Sequence, residues 1–183
     1  MFILRITPGG KNLGEDRTLW SQSNNKISIG WSYLNNLNNC NKSELETKIT
    51  EQESIHNDNK NHINHIVNTF NIFINKMNIG DIVLIPQPST NGHDGTNLYV
   101  VKILSEVKYN SEFKDIGCAY YRDAEWCPQV LKWRISPYHS SVKKNLSFEL
   151  MHFMWKPYIL RKTLTGPHSQ FNEEALSLYQ SAL

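Results

Sequence analysis

An α+β fold, a curled mixed β-sheet or small pseudo-barrel flanked by helices, is predicted for this 183-residue chain by three stretches of its sequence. Ile63, Ile66, Val67, Phe70, Phe73, Ile74 and Met77 recur at three- and four-residue steps and draw one apolar stripe, the mark of a packed helix. Ile82-Val83-Leu84-Ile85 is a continuous apolar run stopped by Pro86 and Pro88, as in a strand buried on both faces. Lys26-Ile27-Ser28-Ile29 alternates polar and apolar residues like a half-buried strand and runs straight into Gly30 and Trp31. Strands dominate and no internal repeat is visible, which favours a small barrel or curled sheet.

In chain order, Phe2-Ile3-Leu4-Arg5-Ile6 reads as a short strand ended by Pro8-Gly9-Gly10. Residues 11–25 are polar and irregular apart from Leu19-Trp20. After the strand at 26–29, Gly30 marks a bulge, bend or close backbone approach, and Trp31 is presented at the mouth of the sheet. Trp31 is equally readable as a core ring, because a large aromatic dominates packing wherever it lands. Residues 35–60, rich in Asn, Lys, Glu and Ser, form an insert expected as a long loop or a weakly held helix and as the place for mobility. Its few apolar anchors are Leu37, Leu45, Ile49 and Ile55.

The clear helix follows, with Asn61 as expected N-cap and Gly80 at the position of a left-handed C-cap. After Asp81 and the buried strand come Asn91-Gly92 and Asp94-Gly95, both turn signals. Leu98 to Leu104 is the next strand, continuing to Tyr109 and pairing back on 82–85. Residues 117–135 read as one or two strands broken at Pro128. Leu146–Trp155 reads as a helix, 158–164 as a last strand and Phe171–Leu183 as a terminal helix.

Net charge is +2 and the pI about 8.4, a balance that permits nucleic acid without demanding it. Cys40, Cys118 and Cys127 are irregularly spaced and form no disulfide framework. Arg5, Pro8 and Gly9-Gly10 interrupt any signal-like apolar core, and no run reaches membrane-span length, so a cytoplasmic protein is expected.

Three pieces carry a family resemblance: Ile27-Ser28-Ile29-Gly30-Trp31; the helix leading into Ile79-Gly80-Asp81-Ile82-Val83-Leu84-Ile85-Pro86; and the strand through Tyr99 to Tyr109 followed by Tyr121-Arg122-Asp123-Ala124-Glu125-Trp126. In this order they resemble the EVE/YTH-like branch of the PUA-like fold, whose corresponding motifs read IGW, GDIVVxP and RxVxW. The resemblance covers residues 1–165, with 35–60 as a polar insert and 166–183 as a C-terminal helical tail. It implies a pseudo-barrel with an aromatic-lined pocket for a flipped, often modified, base. Such domains occur alone and as the reader of modification-dependent restriction enzymes, so the implied partner is nucleic acid, DNA with a modified base above all, with effector chemistry supplied by another subunit.

A flipped base costs a few kcal/mol to extrude, and stacking of about 1–3 kcal/mol per base must help to offset it. The candidate rings are Trp31, then Trp20 and Trp126, with Tyr99 and Tyr109; backbone groups near Ser28 and Ser32 are candidates for reading the base edge. Arg122, Lys132, Arg134, Lys143 and Lys144 are the candidates for flanking phosphates, with Arg122 also readable as a structural ion pair with Asp123 or Glu125.

Three rival chemistries are weaker. Asp81 with Glu106-Val107-Lys108 gives the outline of a D…ExK metal-dependent nuclease, but lacks a clear second acidic partner. Cys118, Cys127 and His139 lack the close ligand pairs of a zinc site, and His62 and His65 read as structural or surface residues. Neither a phosphate-cradling Gly-rich loop nor a nucleophile elbow is present. No catalytic residue, metal or cofactor is therefore expected. A non-enzymatic interaction module, docking through the barrel's aromatics or the helix at Phe171–Leu183, is the remaining class.

Overall fold

The computed structural model describes residues 2–4, 6, 13–53, 59–86, 97–132 and 159–161. The elements are β1 (Phe2–Leu4), α1 (Leu13–Ser23), β2 (Lys26–Ile29), α2 (Lys42–Glu53), α3 (Lys60–Asn75), β3 (Ile82–Pro86), β4 (Asn97–Ile103), β5 (Lys108–Tyr109), β6 (Tyr120–Lys132) and β7 (Ile159–Arg161). The strands form one sheet in the order β2-β6-β4-β3-β1-β7, with β5 on β6, curled into a half-barrel. All pairs are antiparallel except β1 with β3. The α+β class and the curled sheet are thus as the sequence predicts. The helices expected over 146–155 and 171–183, the two turns at 91–95 and Ile55 lie outside the described residues.

α3 carries the expected stripe into the core: Ile66, Phe70 and Phe73 are fully buried. Its ends differ from the expectation. Asn59, not Asn61, is the N-cap, and its Oδ1 accepts from Asn61 N at 3.0 Å and His62 N at 3.4 Å. Gly80 does not cap the helix, which ends at Asn75. Gly80 instead sits at φ 91° in the turn from Asn78 to Asp81, where Asp81 N donates to Asn78 O at 3.1 Å and Asn78 N to Asp81 Oδ2 at 2.7 Å.

The polar insert contains a capped helix. Asn41 N donates to Glu44 Oε2 at 2.7 Å while Glu44 N donates to Asn41 Oδ1 at 3.0 Å, a reciprocal capping box. Leu37, Leu45 and Ile49 are fully buried and, with the buried Cys40 and Glu53, anchor a segment that is otherwise mostly exposed among the described residues. α1 falls where the sequence reads as irregular. Among its described side chains the fully buried ones are the hydroxyls Thr18 and Ser21, which carry no apolar period.

β3 is buried along Ile82–Ile85, between β4 and β1. β6 is one strand through Pro128, because a bulge accommodates the proline. Val100 alone lies between Tyr99 and Val101, whereas Cys127, Pro128 and Gln129 lie between their partners Trp126 and Val130. A second irregularity lies on the opposite strand: Leu104 to Val107 separate β4 from β5, facing only Arg122 and Asp123 between the pairs Ile103↔Ala124 and Lys108↔Tyr121. The strand expected to run unbroken from Leu98 to Tyr109 is therefore two strands on the same edge of β6.

Candidate functional site

β2 is an edge strand, and the chain leaves it through Gly30 into a turn in which Leu34 N donates to Trp31 O at 3.1 Å. Trp31 occupies this turn at φ 59°. That left-handed region crowds Cβ against the backbone, and a bulky residue there is an outlier held by its surroundings. The surroundings are His65 and Phe70, whose rings meet the indole at centroid distances of 5.7 and 6.1 Å in edge-on and tilted geometry. Trp31 is neither sunk in the core nor free of it: it is half-buried, packed against the core on one side.

The other expected rings are not gathered around it. Among the described residues the expected rings fall into three separate groups. Trp31 joins Phe70, which meets Tyr120 at 4.8 Å, and Tyr120 meets Tyr109 at 4.9 Å. Trp20 packs edge-on against Phe113 at 5.0 Å, and Phe113 against Tyr121 at 5.6 Å. Tyr99 and Trp126 form a third, edge-on pair at 5.4 Å, with Trp126 Nε1 donating to Lys26 O at 3.1 Å. Of the expected pocket rings, Tyr109 alone shares a group with Trp31, through two buried rings.

The serines are framework. Ser28 is buried, its backbone lies in the β2–β6 ladder, and its Oγ lies 3.2 Å from both Ser21 Oγ and Cys118 Sγ. Ser32 Oγ accepts from Ala119 N at 3.1 Å. Both side chains tie the end of β2 to the approach to β6, and the Ser28 backbone is taken up in the ladder.

Arg122 corrects the phosphate expectation. It is fully buried, and its guanidinium donates to Phe73 O (2.7 and 3.0 Å), Ile74 O (3.2 Å), Met77 O (3.2 Å) and Ser105 O (2.9 Å). It caps the last carbonyls of α3, where a cation also suits the helix dipole, and fills the break between β4 and β5. Its ionic neighbour is Glu106 at 3.5 Å rather than Asp123 or Glu125. The side chain of Lys132, whose backbone pairs with Asn97, is not among those described, and Arg134, Lys143 and Lys144 lie outside the described residues.

The nuclease outline does not converge. The Asp81 carboxylate holds Asn78 N, Glu106 lies beside Arg122, and Lys108 pairs with Asp123. Among the described residues no three His, Cys, Asp or Glu side chains form a metal-holding group, and the three cysteines are buried and outside any disulfide.

Two features escaped the sequence. Arg17 on α1 lies against the backbone of Gly117 and beside Gly30. The exposed Tyr33, in the same turn as Trp31, donates its hydroxyl to the buried carboxylate of Glu53, whose other oxygen is 3.5 Å from His62 Nε2. Burial, and then Glu53, push the Tyr33 phenol well above its ordinary value; burial does the same to Tyr120, which donates to the Asn35 carbonyl. Because both are raised in the folded state, their stabilisation is complete below about pH 10, where unfolded tyrosine ionises, and is lost above it. Denaturant titrations from about pH 8 to about pH 11 should show stability falling in the wild type, with a shallower fall in Tyr33→Phe and Tyr120→Phe. An equal slope in all three proteins would sink this assignment.

A family model for a domain of unknown function, DUF8426, matches residues 6–150. The chain belongs to the DUF8426 family. The DUF8426 match runs from α1 through β6 and so contains Arg17, Gly30, Trp31, Glu53 and Arg122. No curated protein and no solved structure matches the chain. No helix among the described residues is long and apolar enough to cross a membrane.

Proposed function

We propose that this protein is a PUA-like, non-catalytic reader that captures a flipped, modified nucleobase against Trp31. The observation that carries the reading is the backbone of Trp31 itself. A left-handed tryptophan costs roughly 1–2 kcal/mol, and such strain collects at ligand clamps, where it presents a side chain that an unstrained turn would not. The indole is braced edge-to-face by His65 and at a tilt by Phe70 and stays only half-buried, so part of the ring is open to a planar partner. The three resembling pieces also come together physically: β2 ending in Gly30-Trp31, the α3–β3 passage, and the β4–β6 hairpin belong to one sheet and one core. Effector chemistry then belongs to a partner, and a prokaryotic system against modified DNA is the setting by analogy with such readers.

A protein-interaction module is the second reading, and one observation favours it. Ile79 and Leu104 are 57% and 47% exposed and stand at one end of the sheet, where Gly80 N donates to Ile103 O at 2.9 Å.

The test is a panel of single- and double-stranded oligonucleotides, with and without common base modifications, at two salt concentrations. The reader binds one modified oligonucleotide preferentially, and the preference survives higher salt. Equal affinities that fall together with salt report phosphate attraction alone and overturn it. No binding at low salt also overturns it, in favour of the interaction module.

A further inference from the structure

We infer that Arg17 is an anion-binding residue, set beside Gly30, the residue before Trp31, to hold a phosphate of the bound strand. The inference rests on the reader proposed above for the identity of its anion, but the anion site itself stands on three observations.

The first is the slot that receives the side chain. A Cβ on Gly117 would lie 1.9 Å from Arg17 Nη2 and 2.3 Å from Cζ, so the guanidinium rests directly on that glycine backbone. Gly117 also adopts φ 73°, which glycine alone adopts readily. On the other side, a Cβ on Gly30 would lie 3.3 Å from Arg17 Nη1. Two glycines, far apart in sequence, leave room for one planar cation.

The second is the state of its donors. Guanidinium carries five N–H groups. Nε donates to Ile116 O at 3.2 Å, and neither Nη1 nor Nη2 meets an acceptor among the described residues. Arg122 shows what a structural arginine looks like in this chain: four different carbonyls and a carboxylate engage its guanidinium.

The third is the local charge. Arg17 is half-buried, and desolvation lowers its pKa from the ordinary arginine value. The neighbouring Cys118 thiol is pushed up by burial and stays neutral, so it supplies no counter-charge. A partly desolvated cation whose two amino groups meet no acceptor among the described residues suits a phosphate or another tetrahedral oxyanion.

The shared chemistry is an oxyanion, either a nucleic-acid phosphate or free inorganic phosphate, and two arms separate them. In the first, inorganic phosphate is titrated into the 15N-labelled full chain while the Gly30 and Gly117 amides are followed. A saturable shift in the wild type, lost in Arg17→Gln, supports the site. No saturable shift, or the same shift in Arg17→Gln, overturns it. Gly117→Ala, which displaces the guanidinium but keeps its charge, should lose the shift too, and thermal midpoints confirm that each variant is folded.

In the second arm, an oligonucleotide that the wild type binds is titrated across a salt series. Arg17→Gln should reduce the slope of log K against log salt by about 0.7 for a single strand. An unchanged slope overturns the phosphate role while leaving the reader intact. A wild type that binds inorganic phosphate but no oligonucleotide keeps the anion site and removes the reader.

Discussion

Arg122→Ala should unfold the protein at a markedly lower temperature. The substitution leaves the carbonyls of Phe73, Ile74, Met77 and Ser105 facing a cavity in place of a cation. Removing one side of a buried charged network costs about 3–5 kcal/mol, because the groups left behind are desolvated and unpaired. For a chain of this length that is on the order of 10 °C in thermal midpoint. Arg122→Lys should recover little, since one ammonium with three donors cannot reach the four carbonyls that surround the guanidinium. Glu106→Ala should cost far less, because Glu106 is largely exposed and its 3.5 Å contact is a minor part of the network. The measurement is thermal or denaturant unfolding of the three variants. A stable Arg122→Ala protein with impaired nucleic-acid binding would restore the phosphate role that burial denies to this residue.

Trp31→Ala should lower affinity for the preferred oligonucleotide by roughly 5- to 150-fold, the equivalent of about 1–3 kcal/mol of base stacking. The fold should lose less, because the indole is half-buried and only brushes the core through His65 and Phe70. Trp31→Gly sharpens the experiment. Glycine accepts φ 59° without crowding, so it should be more stable than the alanine variant by about 1 kcal/mol while binding no better. Dissociation constants and thermal midpoints measured together separate the two effects. Unchanged binding with a collapsed midpoint would make the ring a packing element and remove the base reader.

Much of the framework was legible where burial writes a period into the sequence. α3 and β3 could be read directly, because, Thr69 apart, their described buried side chains are all apolar. α1 was illegible for the opposite reason: Thr18 and Ser21 are buried, and hydroxyls carry no hydrophobic period. The capping box of Asn41 and Glu44 was available as a helix-start signal inside the polar insert, but the low apolar content outweighed it. The site was less legible than the fold. Arg122 bonds backbone carbonyls 45 to 49 residues away, and a carbonyl leaves no mark in a sequence. Arg17 was hidden likewise: its slot is made by Gly30 and Gly117, and glycines signal a turn before they signal room for a neighbour. The aromatic count suggested a single cavity, yet Trp20, Trp31 and Trp126 pack with different partners because they sit on α1, after β2 and on β6.

The two irregularities flanking β6 have a consequence for how this hairpin can change length. Each adds an even number of residues to one strand, on opposite sides of the ladder, so the offset made at Cys127–Gln129 is undone at Leu104–Val107 and β5 meets β6 with its original parity. Losing a pair of residues at either place would slide the strands while keeping inward side chains inward. Losing one would turn the segment beyond it inside out, exposing what the core needs. Relatives of this chain should therefore differ by twos along these strands, and deletions of one residue there should be purged.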